Sequence, residues 1–103
     1  MIALVFRYDA RDAADFEAAY GSDGEWAQFF RQGAGYIGTE LLRDIEEPDR
    51  YIVIDRWESP EAYTAFLAEH ADEYLQRSDE ARFYYLQELR MGTFENLWAT
   101  GAA

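Results

Sequence analysis

The sequence predicts an α+β domain whose strands and helices follow one another in the order β-α-β-β-α-β. Apolar residues alternate with other residues over positions 2–8, which is typical of a strand. Aromatic and β-branched residues at 51–54 follow the turn residues 46–49 and indicate a further strand. Apolar residues recur at helical spacing over 60–70. This order gives the ferredoxin-like arrangement, a four-stranded antiparallel sheet with helices on one face.

The N-terminal half contains the first strand and two short helices. The strand is expected over 2–8, and Asp9 or Asp12 can cap a first helix over the next residues. Asp23 can cap a second helix, which ends at the glycines 33 and 35. This second helix carries an aromatic stripe that includes Trp26 and Phe30. Core packing is the favoured account of the stripe, and a surface for a flat aromatic ligand is the alternative.

The C-terminal half is predicted with strands at 36–44, 50–58 and 87–97. Ser59 can accept a hydrogen bond from the first free helical amides, and Pro60 suits the first helical position. The helix from Pro60 is expected to reach about Glu69, and further helix continues over 71–80. His70, the single histidine of the chain, ends the apolar stripe of the first of these helices.

The strands carry bulky apolar groups on both faces, although helices cover only one. In the third strand Tyr51 and Val53 point to one face, and Ile52 and Ile54 point to the other. A solvated sheet face carries polar residues instead. We therefore expect the second face to pack against a second copy of the chain, which makes a homodimer with a barrel-like core. Arg7 and Arg56 are expected to form ion pairs, with Glu40 and Asp55 as available partners.

Length, charge and composition limit the classes of function. The 103 residues correspond to a single domain, 1–103. A formal net charge of −12 argues against binding to nucleic acid or to an anionic membrane. The chain contains no cysteine, no apolar run of about 20 residues and no N-terminal signal peptide pattern, so a cytoplasmic location is expected. No spaced cluster of metal ligands occurs, and no metal or cofactor is expected.

Three segments resemble the antibiotic biosynthesis monooxygenase family of dimeric α/β-barrel proteins. They are AYGSDGEWAQFFRQGAGYIGTELLRD at 19–44, RYIVIDRWESPEAYTAFLAEH at 50–70 and LRMGTFE at 89–95. The most specific element is W-E-S-x-E-A at 57–62, followed by the helix that ends at His70. The resemblance implies the ferredoxin-like fold and the homodimer, which the residue pattern predicts independently. It also implies an oxygenase that uses neither metal nor organic cofactor, although some members of the family degrade haem.

The resemblance assigns His70 a role as general base or hydrogen-bond donor to a phenolate. The alternative is a histidine at a helix end that interacts with backbone carbonyls and the helix dipole. Many members of the family carry a second histidine four residues earlier, where this chain has Phe66. The first strand lacks the asparagine used by haem-degrading members, so haem binding is the less favoured function.

The first function hypothesis is a cofactor-independent monooxygenase acting on an aromatic, phenolic or quinol-like small molecule. Its substrate supplies the electrons, and the protein supplies a base, a dry cavity and oriented donors. The second hypothesis is a non-catalytic module of the same fold that binds a small ligand or takes part in a stress response. In the first hypothesis His70 is catalytic, and the expected pocket residues are Trp26, Phe30, Trp57, Tyr63 and Phe66.

Overall fold

The computed structural model describes residues 1–97 and shows the predicted order of elements. Residues 98–103 of the expected domain lie outside the described residues. The strands are β1 (Ile2–Ala10), β2 (Tyr36–Arg43), β3 (Arg50–Trp57) and β4 (Tyr85–Glu95). The helices are α1 (Ala13–Tyr20), α2 (Glu25–Phe30), α3 (Pro60–Glu69) and α4 (Ala71–Ala81), with a 3-10 turn at Arg82–Tyr84. Within residues 1–97, no helix combines the length and apolar character needed to cross a bilayer.

The four strands form one sheet in the order β2-β3-β1-β4, and all neighbouring strands are antiparallel. This is the predicted ferredoxin-like sheet. The pairing register places Phe6 opposite Val53 and Tyr8 opposite Tyr51. It also places Thr39 of β2 opposite Asp55 of β3. Because residues that lie opposite each other share a face, Thr39 and Asp55 point toward the helices together with these apolar residues.

The helices bury one face of the sheet and leave the other uncovered. Leu4 and Tyr8 of β1 and Tyr51 and Val53 of β3 are buried on the helix side, as the alternation predicts. On the opposite side, Leu42 and Leu89 are each 48% exposed. This second surface, called the open face below, carries apolar side chains that nothing within residues 1–97 covers. Its apolar members are Val5, Leu42, Ile52, Ile54, Leu89 and Phe94.

Helix caps show where local sequence decides structure and where packing decides it. The amide of Asp15 donates to Asp12 at 3.0 Å, and the amide of Ala62 donates to Ser59 at 3.1 Å, as expected for caps. The predicted Asp23 cap is wrong, because α2 begins after Gly24. A Cβ at Gly24 would lie 2.7 Å from two backbone oxygens of α1, so this close approach requires glycine. Asp23 instead pairs with Arg31 at 2.6 Å.

Glu40 and Asp55 are the predicted ion-pair partners of the strand arginines. The structure confirms Glu40, and the prediction for Asp55 is wrong. Arg56 pairs with Glu40 at 3.0 Å on the open face. Arg7 has Asp9 as its carboxylate neighbour at 3.9 Å. Asp55 pairs with neither arginine. The pleat of the sheet points its side chain to the helix side, whereas Arg7 and Arg56 point to the open face.

Aromatic rings fill the space between sheet and helices in two clusters. In the first cluster, Phe16 and Tyr20 of α1 stack at 4.4 Å over Tyr8 and Tyr51. The second cluster centres on Trp57, which no solvent reaches, and on Phe66, whose ring centroid lies 5.3 Å from that of Trp57. Trp26 and Phe6 contact both clusters. The region between the two clusters contains the candidate site.

Candidate active site

A cleft opens between the sheet and the helices where the two aromatic clusters meet. Its cavity volume is about 110 Å³, whereas one water molecule needs roughly 10–15 Å³ of such volume. The cleft is therefore wide enough for more than one water molecule. Strands and helices both contribute to its walls. The lining residues are Phe6, Tyr8, Tyr20, Trp26, Phe30, Thr39, Val53, Asp55, Tyr63, Tyr74, Ser78, Ala81, Tyr85 and Glu88.

Asp55 is the buried acid of this cleft. Its residue surface is only 9% exposed, and its Oδ1 accepts a hydrogen bond of 2.6 Å from the Thr39 hydroxyl. The Thr39 oxygen lies 2.6 Å from the hydroxyl of Tyr36, which is half-buried. Within residues 1–97, the second oxygen of Asp55 accepts no hydrogen bond. Asp55 therefore has one oxygen held by β2 and one oxygen free for a ligand in the cleft.

Burial raises the pKa of Asp55 from 3.8 to about 6, and the hydrogen bond from Thr39 partly opposes this rise. Removal from water disfavours the ionised carboxylate more than the Thr39 hydroxyl stabilises it. A base whose pKa lies near neutrality accepts a proton and still has a large ionised fraction at pH 7. Asp55 thus has the position and the basicity of a general base.

A second carboxylate, Glu88 of β4, lies at the opposite end of the cleft. The hydroxyl of Tyr8 donates to its Oε2 at 2.6 Å. Burial is the largest cause of the raised pKa of Tyr8, and the same is true of Tyr20. Both phenols therefore stay protonated well beyond neutral pH and act as hydrogen-bond donors. The cleft consequently has a polar group at each end and aromatic walls between them.

The structure brings three of the five predicted pocket residues into the cleft. Trp26, Phe30 and Tyr63 line it. Burial raises the pKa of Tyr63, so its hydroxyl is a donor at neutral pH. Trp57 and Phe66 do not line this cleft, because they pack against Phe30 in the second aromatic cluster behind it. Trp57 and Phe66 therefore contact the cleft only indirectly, through the ring of Phe30.

His70 lies outside the cleft, at the junction of α3 and α4. Its backbone N–H donates to the carbonyl of Phe66 at 3.0 Å, and its ring centroid lies 4.5 Å from that of Phe66. The half-buried ring borders a shallow surface depression together with Glu69 and Asp72. His70 is not among the residues that line the cleft, and its ring packs against Phe29 and Phe66. Its catalytic role stays a prediction, and the geometry favours Asp55 as the base.

Sequence reasoning missed Asp55 and Glu88 as site residues. A signal for Asp55 was present, since it is an acid at a position whose neighbours in the alternation, Val53 and Trp57, are buried. Glu88 carried no such signal, because β4 shows no alternation of buried and exposed residues. The described residues contain no group of three or more His, Cys, Asp or Glu side chains that could hold a metal ion.

Comparison with known proteins identifies a family model that matches most of the chain. The family model for antibiotic biosynthesis monooxygenase matches residues 1–77. Among curated proteins, a heme oxygenase (mycobilin-producing) from Mycobacterium tuberculosis is 40% identical over 42 residues. That match includes 36% of this chain and 40% of the relative, so it spans less than half the length of the curated protein.

Solved structures share the fold over nearly the whole chain. SnoaB, a cofactor-independent oxygenase from Streptomyces nogalater, superposes with a TM-score of 0.74 at 22% identity, over 95% of this chain and 94% of SnoaB. A Deinococcus radiodurans protein, provisionally named an antibiotic biosynthesis monooxygenase, gives a TM-score of 0.75 at 18% identity. That alignment includes 100% of this chain and 99% of the other. At these identities the similarity shows the fold alone.

Proposed function

Because the chain belongs to the antibiotic biosynthesis monooxygenase family, we propose that it is a cofactor-independent monooxygenase acting on an aromatic, phenolic or quinol-like small molecule. One observation carries the proposal. A buried acid, Asp55, faces an aromatic cleft with one oxygen held by Thr39 and the other free. Such a group can remove a proton from a bound substrate in a water-poor environment. The proposal is also supported by SnoaB, which shares the fold and is a cofactor-independent oxygenase.

In the proposed reaction the substrate itself is the reductant. Asp55 removes a proton from a ring carbon or hydroxyl, which leaves an anion delocalised over the aromatic system. This anion transfers electrons to O2, and a carbon–oxygen bond forms. When a ring methylene becomes a carbonyl, one oxygen atom stays in the product and the other leaves as water with both hydrogen atoms. The proton held by Asp55 returns to the departing oxygen, so atoms and electrons balance.

Neighbouring groups prepare Asp55 and the substrate for this step. The Thr39 hydroxyl stabilises the ionised carboxylate and orients it. Tyr63 keeps its proton at working pH and can donate to the oxyanion that develops on the substrate. Trp26 and Phe30 supply flat apolar surface for the ring system.

The direct test is oxygen consumption in metal-free buffer with a panel of anthrones, naphthols and quinols. We expect wild-type protein to consume oxygen above the uncatalysed rate with at least one compound. Asp55→Asn should lower kcat by roughly 10²–10⁴-fold, since it removes the base and keeps the shape. His70→Ala is the matched control and should retain turnover. Loss of turnover in His70→Ala with normal turnover in Asp55→Asn would overturn the assignment of the base.

The alternative function is a non-catalytic ligand-binding module. The observation that favours it is Phe66 at the position of the family's first histidine. If the whole panel fails to produce oxygen consumption while ligands raise the melting temperature, the binding module replaces the enzyme. Binding of the same ligands by Asp55→Asn would then show that the acid is not needed for recognition.

Haem binding is a further candidate because the curated relative is named a heme oxygenase. Haem-binding through His70 does not fit the cleft, since the lining offers carboxylate and hydroxyl oxygens and His70 is not part of it. Titration with hemin tests this directly. A Soret band that His70→Ala abolishes would favour haem over the phenolic substrate.

We also propose that the protein forms a homodimer through the open face. Leu42, Leu89 and Phe94 are each about half exposed there. Contiguous apolar surface of this kind is typical of an interface. A second copy is the simplest partner, since an isologous contact places the same face on both subunits.

The dimer is tested by light scattering coupled to size exclusion. We expect twice the chain mass of 12.0 kDa. Ile54→Arg, in the centre of the open face, should give monomer. Ile45→Arg is the matched control, because Ile45 is 96% exposed outside the sheet and should leave the dimer intact. A wild-type monomer at micromolar concentration would overturn the proposal.

A further inference from the structure

Three side chains form a hydrogen-bonded chain that begins in the cleft and ends outside its lining. The Thr39 hydroxyl lies 2.6 Å from Oδ1 of Asp55, and the same hydroxyl oxygen lies 2.6 Å from the hydroxyl of Tyr36. Thr39 and Asp55 line the cleft, whereas Tyr36 is not part of its lining. The proposed reaction uses Asp55 and Thr39 and leaves Tyr36 without a role.

A β-bulge in β2 brings Tyr36 to this chain. In a regular strand, residues three positions apart, such as Tyr36 and Thr39, point to opposite faces of the sheet. The pairing with β3 shifts by one residue between Tyr36 and Gly38, so Ile37 is an extra residue there. Tyr36 consequently lies opposite the buried Trp57 on the helix side, which Thr39 also faces. Bulges that re-aim a side chain beside a site are built features of a sheet and not defects.

The number of available hydrogen atoms fixes the direction of the chain. A hydroxyl has one hydrogen to donate, and an ionised carboxylate can only accept. When Asp55 is ionised, the hydrogen of Thr39 is used in the bond to Oδ1. The bond between Tyr36 and Thr39 then requires Tyr36 to be the donor. Donation by Tyr36 polarises the Thr39 hydroxyl and strengthens its bond to the carboxylate, as in other chains of hydrogen bonds.

The ring of Tyr36 is held by neighbours that do not depend on its hydroxyl. Its centroid lies 5.4 Å from that of Trp57 and 5.8 Å from that of Phe30. Burial is the largest cause of the raised pKa of Tyr36, and the bond to Thr39 opposes it in part. The phenol therefore stays protonated near neutral pH and is available as a donor. A phenylalanine at this position keeps the packing and loses only the hydroxyl.

The other charged or titratable groups near the chain differ from Asp55 in pKa or in position. Those contributed by the helices and by β4 are Arg31 at the end of α2, Tyr63 of α3, Tyr74 of α4, and Arg90 and Glu88 of β4. Arginine and tyrosine side chains titrate far above the range in which a carboxyl group does. Glu88 lies at the other end of the cleft beside Tyr8, and Leu4 of β1, opposite Asp55, carries no charge. A change in the proton affinity of Asp55 after substitution of Tyr36 therefore reports on the hydrogen-bonded chain.

We infer that Tyr36 is a positioning residue that acts on Asp55 through Thr39, so that Oδ1 is held as a hydrogen-bond acceptor and Oδ2 receives the proton of the substrate. As far as turnover is concerned, this inference rests on the proposed function of Asp55 as the base. The action of Tyr36 on the proton affinity of Asp55 exists whether or not the protein is an enzyme.

The first measurement is the titration of Asp55, followed by carbon NMR of protein labelled at the aspartate carboxyl carbons. The signal that Asp55→Asn lacks identifies the residue. In Tyr36→Phe we expect the pKa of Asp55 to rise by roughly 0.2–0.7 pH units, because a weaker bond from Thr39 stabilises the carboxylate less. Tyr85→Phe is the matched control and should leave this pKa unchanged, since Tyr85 lines the cleft without being part of the chain.

A double variant separates an action through Thr39 from a direct effect of Tyr36. In Thr39→Val the chain is already broken, so the addition of Tyr36→Phe should not move the pKa of Asp55 further. An unmoved pKa in Tyr36→Phe would overturn the inference. An equal rise in Tyr85→Phe, or a full additional rise in the double variant, would overturn it as well.

Steady-state kinetics then connects the chain to turnover. The acidic limb of kcat/KM against pH should move upward in Tyr36→Phe by the same amount as the pKa of Asp55. A fall in kcat/KM without movement of the limb would show a merely structural role and overturn the inference. A raised pKa in Tyr36→Phe without oxygen consumption by wild type would keep the action of Tyr36 on Asp55 and refute the monooxygenase. Oxygen consumption by wild type with an unmoved pKa in Tyr36→Phe would keep the monooxygenase and refute the inference.

Discussion

Asp55 and His70 are the two titratable side chains with a case for the role of base, and they occupy contrasting environments. Asp55 belongs to a strand, and the pleat points it into the cleft beside Thr39. His70 ends one helix and precedes the next, with its ring against Phe66. Residue type favours the histidine, since it is the side chain that most often serves as general base near neutral pH. Position and burial favour the aspartate. The comparison shows that the pleat and the pairing of the strands decide which side chain faces the cleft.

The largest expected effect comes from removing the ring on which His70 rests. Phe66 is buried and contacts Trp57, Phe29 and Phe30. Phe66→Ala leaves a cavity in this cluster and should lower the free energy of unfolding by about 3–5 kcal/mol. Tyr63→Phe in the cleft keeps the ring and should cost about 1 kcal/mol or less. Urea denaturation of both variants measures the difference.

Similar losses in the two variants would contradict this contrast. They would mean that the hydroxyl of Tyr63 stabilises the fold as strongly as burial of the Phe66 ring.

The second expected effect is a gain of stability in Asp55→Asn that depends on pH. Folding raises the pKa of Asp55 from 3.8 to about 6, so the folded state binds protons more tightly. The contribution of Asp55 to stability is therefore complete below pH 3.8 and lost as pH rises through 6. Above pH 6 its ionisation costs about 2–3 kcal/mol, which asparagine does not incur.

Urea denaturation at pH 8 and pH 4 checks this sign. Asp55→Asn should be more stable than wild type at pH 8, and the difference should disappear at pH 4. Glu69→Gln is the control, because Glu69 is an exposed carboxylate of α3. Its stability relative to wild type should be the same at pH 8 and at pH 4. Lower stability of Asp55→Asn at pH 8 would mean that the carboxylate is held by favourable contacts and is not a strained base.

A smaller effect is expected when the contact of Asp55 with β2 is removed. The Thr39 hydroxyl lowers the pKa of Asp55, so Thr39→Val should raise it. The acidic limb of kcat/KM against pH should move upward by about one pH unit. Thr39→Ser keeps the hydroxyl and should keep the wild-type profile. An unmoved limb in Thr39→Val would show that Asp55 does not set the pH dependence.

The sequence predicts the strands and helices that carry Asp55 and His70, but it does not predict which of the two side chains faces the cleft. The alternation in β1 and β3 and the Ser59 cap are local signals, and the structure confirms both. The contact of Asp55 with Thr39 depends on the register between β2 and β3, which the alternation within either strand does not by itself specify because the geometry of the connecting turn also sets it. The Asp23 cap failed for a similar reason, since the approach of Gly24 to α1 is a tertiary contact.

The smallest effect is expected from His70 itself. His70→Ala removes a ring that packs on Phe66, but no side-chain hydrogen bond caps α4 at this position. The free energy of unfolding should fall by about 0.5–1 kcal/mol, which is ordinary for a half-buried residue without a polar partner. Turnover and its pH profile should match wild type, because the imidazole is not part of the cleft. Steady-state kinetics from pH 5 to 9, with urea denaturation on the same samples, separates the two roles. A kcat loss of about 100-fold at unchanged stability would restore His70 as the base and make Asp55 the supporting acid.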